Sequence, residues 1–240
     1  MRLRVATYNI HKCRGMDRRL QPERIVEVLR DIEADVVALQ EVVRLRDGNP
    51  KHDQAEFIRS SLDDYELVFG DNRLHRGGRY GNALLSRIPI VSWTNYDLSW
   101  RRRERRGCLR VDLRLANGRV LHLFNVHLGT AFFERRHQGR LLLGSDILKA
   151  ELSGPRLVLG DFNEWTRGLT SRLLSADLEA IKMRQFARRS RTYPGVLPLL
   201  HLDHIYHDRS LVLEHFSVYR TRLSLIASDH LPLVADFRVP

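Results

Sequence analysis

Two β-rich runs, Leu109–Leu115 and Val120–Val126, are separated by a short link that contains Asn117–Gly118. Asn-Gly between alternating apolar runs is a hairpin signal. It predicts antiparallel neighbours in the middle of the chain and so excludes a purely parallel, doubly wound sheet. The remaining pattern alternates strands with helices. Strands are predicted at Leu3–Tyr8, Asp35–Leu39, Leu67–Phe69, Asn82–Ser86, Val91–Asp97 and Arg156–Leu159, and near 203–207, 211–219 and 233–237. A helix starts at Gln21–Pro22–Glu23, with proline near the first helical position, where its missing N–H costs nothing. Its apolar face is Ile25, Val28, Leu29 and Ile32, at helical spacing. Further helices are predicted over Asp53–Leu62, about Glu134–Glu151 and near 168–175. With about ten strands and few helices, the economical layered solution is a mixed α/β fold, two sheets face to face with helices outside. No repeat and no Pro/Gly/Ser-rich linker interrupts residues 1–240, which read as a single domain.

The two cysteines, Cys13 and Cys108, form no CxxC pair. That argues against a disulfide scaffold or a structural zinc site and suits a reducing compartment. MRLRVATYNI passes straight into a strand without a signal-peptide h-region, and no apolar run is long enough to span a membrane. A cytoplasmic protein without membrane insertion is expected. The net charge of +11 favours polyanionic partners: nucleic acid, anionic lipid headgroups or phosphate esters. It comes from 36 arginines against 4 lysines, a bias that genomic base composition can also produce. The densest cluster, Arg101–Arg106 (RRRERR), is either a solvated loop or a phosphate-binding patch.

Polar residues recur where strands end. Asn9 closes ATYNIH, Glu41 follows VVALQ, and Asn125 and His127 lie in LFNVHLG. Asp161 and Asn163 lie in RLVLGDFNEW, Asp203 in HLDHIY, and Asp229 and His230 in ASDHLPL. Asp161 and Asn163 stand two apart, as side chains sharing one face of extended backbone do, although a helix cap and a turn residue would look the same. Asp161, Asp229 and Glu41 would repel one another in a shared cleft unless a divalent cation offset the charge. Mg²⁺ is commonly held by one or two carboxylates, waters and phosphate oxygens. Such a site with histidines beside it can hydrolyse a phosphate ester.

Taken together, TYNIH, LQEV, GNALLSRIPI, NVHLG, GDFNEW, LDHIY and SDHLPL resemble the endonuclease/exonuclease/phosphatase superfamily, the DNase I-like proteins, and in particular its small bacterial members. The matching pieces follow the family's order across almost the whole chain. The resemblance implies a four-layer α/β sandwich with the site at one end of two sheets. It implies Glu41 as principal ligand of Mg²⁺ (or Mn²⁺), Asn9 touching the metal or its water, and Asp229 completing the acidic cluster. Asp161 would position or deprotonate the attacking water, and Asn163 would hold the phosphoryl group. His230, oriented by Asp203, would stabilise the transition state, and His127 would polarise or protonate the leaving group. Asn125, Arg106, Thr130 and Arg135 or Arg136 are substrate-binding candidates. The expected substrate is nucleic acid, with a phospholipid or small phosphodiester as the alternative, and a non-catalytic binding protein on this fold as the third reading, against which the full set of catalytic groups speaks. An apolar lip such as Ala131–Phe132–Phe133 would favour the lipid, and an arginine-lined groove the nucleic acid.

Overall fold

The computed structural model describes all residues except 165–167 and 181–190, so Trp165 of the GDFNEW stretch lies outside the described residues. One sheet is built from β1 (Arg2–Asn9), β2 (Val36–Arg44), β3 (Glu66–His75), β4 (Gly78–Ser86), β11 (Val212–Val218) and β12 (Leu233–Arg238), in the order β11-β12-β1-β2-β4-β3. The other contains β5 (Ile90–Asp97), β6 (Gly107–Arg114), β7 (Val120–His127), β8 (Arg156–Asp161), β9 (Glu179–Ala180) and β10 (Asp203–His207), in the order β5-β6-β7-β8-β10-β9. The helices are α1 (Pro22–Ile32), α2 (Gln54–Ser60), α3 (Phe132–Leu142), α4 (Leu169–Asp177) and α5 (Ser224–Ala227).

Strand alternation explains the layering. In β1, Leu3 and Val5 face an apolar layer between the sheets, where they join Leu123, Leu157 and Phe237. Ala6 and Tyr8 face the other way, against Ile25, Leu29 and Ile32 of α1 and Ile58 of α2. On the far side of the second sheet, Phe124 and Val158 pack with Leu142 of α3 and Leu174 of α4. The result is the four-layer sandwich that was expected. Each sheet carries a parallel pair near its centre, β1–β2 in one and β7–β8 in the other. The predicted hairpin forms between β6 and β7, and Gly118 (φ 80°) supplies the left-handed residue of its link.

Two expectations need correcting. The long helix over Glu134–Glu151 stops at Leu142: Gly144 donates its N–H to the Leu141 carbonyl, and the Ser145–Asp146 that follows favours a turn. The strand at Leu67–Phe69 runs on to His75 and turns through Arg76–Gly77 into β4. Half-exposed at the sheet edge, β3 lacks the apolar alternation that marks a strand with one buried face. The short β9 and α5 gave no sequence signal.

A polar cluster on the second sheet shows what cross-strand pairing can hold. Ser92, Asp112 and His122 are register partners across β5, β6 and β7. The Asp112 carboxylate accepts from Ser92 Oγ (2.8 Å), Arg110 Nε (2.9 Å) and Nη2 (2.8 Å), and it lies 2.7 Å from His122 Nδ1. Burial alone would raise this carboxyl, but the hydrogen bonds from His122, Arg110 and Ser92 outweigh it and hold it at about 2. Because the folded value lies below that of the unfolded chain, the carboxylate stabilises the fold above about pH 4 and loses that effect as pH falls towards 2. Asp112→Asn should therefore cost about 2 kcal/mol at pH 7 and almost nothing near pH 2. Urea denaturation at the two pH values checks this, and an equal loss at both would contradict it.

Candidate active site

At one edge of the sandwich β1, β7 and β8 end on Asn9, His127 and Asp161, while Glu41, expected at a strand end, lies inside β2, which runs on to Arg44. Asp203 opens β10 opposite Asp161 in register, and the turn between α5 and β12 adds Asp229 and His230. The site thus straddles both sheets. Asn9 ties them together: its Nδ2 lies 3.0 Å from Asp161 Oδ2 and 3.4 Å from Glu41 Oε1. Several backbones here are left-handed without glycine: Glu41 (φ 59°), Asn163 (φ 50°) and the run His11–Lys12–Cys13. Such conformations cost energy and persist where the surrounding structure fixes them. Glu41 sits where the β2–β4 register shifts between Leu39 and Val42, an irregularity of the kind that re-aims a side chain. Gly160 (φ 144°) is the glycine the site requires, because a Cβ there would lie 1.9 Å from the Val126 carbonyl oxygen. That close approach sets the register that places Asp161 beside His127.

Asp161 is 1 % exposed. Its Oδ1 accepts the Asn163 N–H (2.9 Å), while Oδ2 lies 3.5 Å from His127 Nε2 and 3.7 Å from His230 Nε2. His230 Nδ1 donates to Asp203 Oδ2 (2.8 Å), which also accepts from Thr192 Oγ1 (2.5 Å). The two imidazoles differ in charge. Burial, then the nearby Arg106 guanidinium, push His127 far below its usual value and keep it neutral. Burial opposes protonation of His230 as well, but Asp203 and Asp161 outweigh it and raise this imidazole to about 10. Burial, with Asp203 assisting, pushes the Asp161 carboxyl up to about 7. Environments that separate titratable groups in this way assign acid and base roles.

Residues 6–230 match the Endonuclease/Exonuclease/phosphatase family. The chain belongs to it. Over 248 aligned positions it is 33% identical to the uncharacterized protein YbhP of Escherichia coli (strain K12), covering 98% of this chain and 96% of that one. The family's Beutenbergia cavernae structure superposes with a TM-score of 0.80 at 24% identity, covering 99% of this chain and 72% of that one. The Bacteroides vulgatus structure gives 0.81 at 19% identity over the whole of both chains. These likenesses bear out the DNase I-like fold expected from the motifs. Members of this endonuclease/exonuclease/phosphatase family are hydrolases, and divalent metals are common among them.

The residues present fit a hard divalent cation of the kind this family uses. Burial would raise the Glu41 carboxyl, but His127, Lys12 and His11 outweigh it and hold it at about 2, so Glu41 is ionised at neutral pH. The Lys12 ammonium lies against Glu41 Oε2, a positive charge standing where a metal would. Asp161, Asp203 and His230 offer a second group of ligand atoms within 4.8 Å of one another. Asp203 Oδ1 in that group is buried and has no hydrogen-bond partner among the described residues. Asp229 is placed otherwise than expected: its side chain faces His11 Nδ1 (3.6 Å) and Ser228 Oγ (3.4 Å).

Other candidates fall on both sides of the expectation. Arg106 is 7 % exposed and near His127, bonded through Nη2 to Glu104 (3.0 Å), while Nε and Nη1 are buried without a partner among the described residues. Asn163 follows the strand in a left-handed conformation, so its approach to Asp161 comes from a tight turn and not from two steps of extended chain. Its Nδ2 donates to the Leu128 carbonyl (2.9 Å). Arg135 is buried and donates to the Gly129 and Thr130 carbonyls, whereas Arg136 and the Thr130 residue are exposed. Asn125 is a correction. It is fully buried between the sheets, donates to the Leu39 (3.0 Å) and Ala83 (2.9 Å) carbonyls, and accepts from Gln40 Nε2 (2.8 Å). With its side chain spent on these bonds, it braces one sheet against the other. Asn125→Ala should cost about 2–4 kcal/mol through the unpaired groups it leaves, with KM for substrate unchanged. Thermal denaturation beside steady-state kinetics checks this, and a raised KM at unchanged stability would contradict it. The reading of the sequence missed Lys12, Thr192 and Tyr193, whose ring lies 5.0 Å from that of His230. Only the distant partners of these three mark them, and no local pattern shows that.

Proposed function

We propose that the chain is a Mg²⁺- or Mn²⁺-dependent phosphodiesterase and that residues 1–240 form one catalytic domain. The carrying observation is Asp161 Oδ2, a buried carboxylate oxygen that lies against the Asn9 amide, His127 Nε2 and His230 Nε2. A carboxyl poised near pH 7 suits a general base. In this reading water attacks phosphorus, its proton passes to Asp161, and the bond from phosphorus to the leaving oxygen breaks. Protonated His230, held by Asp203, stabilises the charge on the phosphoryl oxygens. Neutral His127 polarises the leaving group by hydrogen bonding. The Nε and Nη1 of Arg106, unpaired among the described residues, suit phosphoryl oxygens, and Asn163 would hold the phosphoryl group beside them. Glu41 and Asn9 would hold the cation, which neutralises phosphate charge. Cys13 and Cys108 are buried and free, which suits the cytoplasmic location that forms part of the proposal. No helix among the described residues is long and apolar enough to cross a membrane.

The test is hydrolysis of bis(p-nitrophenyl) phosphate in Mg²⁺ and in Mn²⁺, with EDTA removal and metal restoration. Metal-dependent turnover of this diester, faster than that of the corresponding monoester, is expected. Inactivity towards both esters in both metals would sink the reading. Nicking of supercoiled plasmid in the same buffers tests nucleic acid, one of the polyanionic substrates that the net charge of +11 favours.

A further inference from the structure

We propose that the surface beside the mouth of this site docks on an anionic lipid bilayer, so that the phosphodiester offered to Asp161 belongs to a membrane lipid. The proposal rests on the phosphodiesterase reading. Its first observation is α3, which starts five residues after His127 and shows solvent an unusual face. Phe132 is 55 % and Phe133 66 % exposed, with their rings edge to face at 5.4 Å. Residues four apart on a helix stack along one ridge. One ridge is Phe133, His137 and Leu141, and its neighbour is Phe132, Arg136 and Arg140. The acid of this helix, Glu134, is turned inward and buried. Exposed aromatic and aliphatic groups beside arginine, with no acid among them, are what an interfacial helix presents to headgroups and acyl chains.

The neighbouring loop extends this face. The Trp100 ring lies tilted against that of His137, with centroids 6.2 Å apart, and Arg101 lies over the Trp100 ring at 4.8 Å. Arg101, Arg102, Arg103 and Arg105 are exposed, and like Arg136 and Arg140 they form no ion pair among the described residues. Glu104, the one acid within that run, is occupied by Arg73 and Arg106. The loop that sets Tyr193 against His230 exposes Leu197 (62 %) and Leu199 (54 %). Exposed apolar side chains thus lie on the helix that follows His127 and on the loop that carries Tyr193, and unpaired arginines lie beside the first of these. Duplex nucleic acid would use the arginines but, with its bases stacked, gives two adjacent phenylalanines on an outer helix face nothing to enter. An anionic bilayer uses both, through acyl chains and through negatively charged headgroups.

The experiment is co-sedimentation of the whole chain with phosphatidylglycerol/phosphatidylcholine vesicles and with pure phosphatidylcholine vesicles, at low and high salt. The variants are Phe132→Ser/Phe133→Ser and Arg102→Gln/Arg103→Gln/Arg105→Gln, all at exposed positions. Binding to the anionic vesicles at low salt is expected, weakened by high salt and by the arginine variant. The phenylalanine variant should bind roughly tenfold or more weakly, the scale set by two aromatic side chains that no longer leave water. It should also lose hydrolysis of vesicle phosphatidylglycerol while keeping that of bis(p-nitrophenyl) phosphate. Absent vesicle binding, or binding that the phenylalanine variant leaves unchanged, would overturn the proposal. So would tighter binding to duplex DNA that depends on the arginines alone. Vesicle binding without hydrolysis of any diester would instead count against the phosphodiesterase reading, which keeps the two failures distinct.

Discussion

Asp161→Asn is expected to reduce diester turnover roughly 10²- to 10⁴-fold, the range that loss of a general base produces. The substitution is close to isosteric, and its carbonyl oxygen can still accept the Asn163 N–H that Oδ1 accepts now. What it removes is the proton acceptor between His127 and His230. The base works only when ionised, so the wild-type rate should fall as pH drops below the Asp161 value, which in the metal-free protein is about 7. A bound cation moves that limb to lower pH. The variant should lack the limb altogether, and this separates loss of the base from a merely weakened site. Stability should move the other way. A carboxyl whose folded value is raised destabilises the fold increasingly as pH climbs from about 4 towards the folded value. Asp161→Asn should therefore melt higher than wild type at pH 8, with little difference at pH 4. A variant that kept wild-type turnover would overturn the assignment, whatever its melting temperature.

The second large effect is expected at Glu41. Glu41→Gln keeps the shape and removes the charge that faces Lys12 and His127. Loss of an outer-shell partner typically weakens metal binding 10- to 100-fold, and loss of a charged ligand should exceed that. Calorimetric titration of Mn²⁺ into wild type and variant measures it directly, independent of turnover. The metal-free protein gives a further reading. Glu41 titrates in the folded state below its unfolded value, so it contributes stability above about pH 4 that is lost as pH falls towards 2. Glu41→Gln should lower the melting temperature at pH 7 and leave it unchanged near pH 2. Equal Mn²⁺ affinity in the two proteins would show that the ion is held elsewhere, with Asp161, Asp203 and His230 the remaining group.

The layers and the edge that carries the site could be read before the structure was known, because strands buried on one face alternate and their polar ends break that alternation. Depth could not be read. Asn125 and His127 stand two apart on β7 and share a face, but Asn125 lies about two rises, or ~7 Å, further into the sandwich. Water does not reach it there, so its hydrogen bonds close within the protein. Conformation after a strand end was hidden too: Asp161 and Asn163 meet through a turn that also makes the bond a cap-and-turn reading would predict. Partners far along the chain, such as Lys12 for Glu41 and Thr192 for Asp203, follow from the fold as a whole. The apolar lip was visible as Phe132–Phe133, but its arginine border depends on α3 lying beside the Trp100 loop.

The place of β12 in its sheet has a consequence for how the protein is made. This strand is the last in chain order, yet it lies between β1 and β11, and the turn before it carries His230. A chain that leaves the ribosome N-terminus first has Asn9, Glu41, His127 and Asp161 available early. It has no protonated imidazole opposite Asp161 until β12 has slotted in beside β1. On the proposed role of His230, the growing chain is expected to be hydrolytically silent until the event that closes its first sheet.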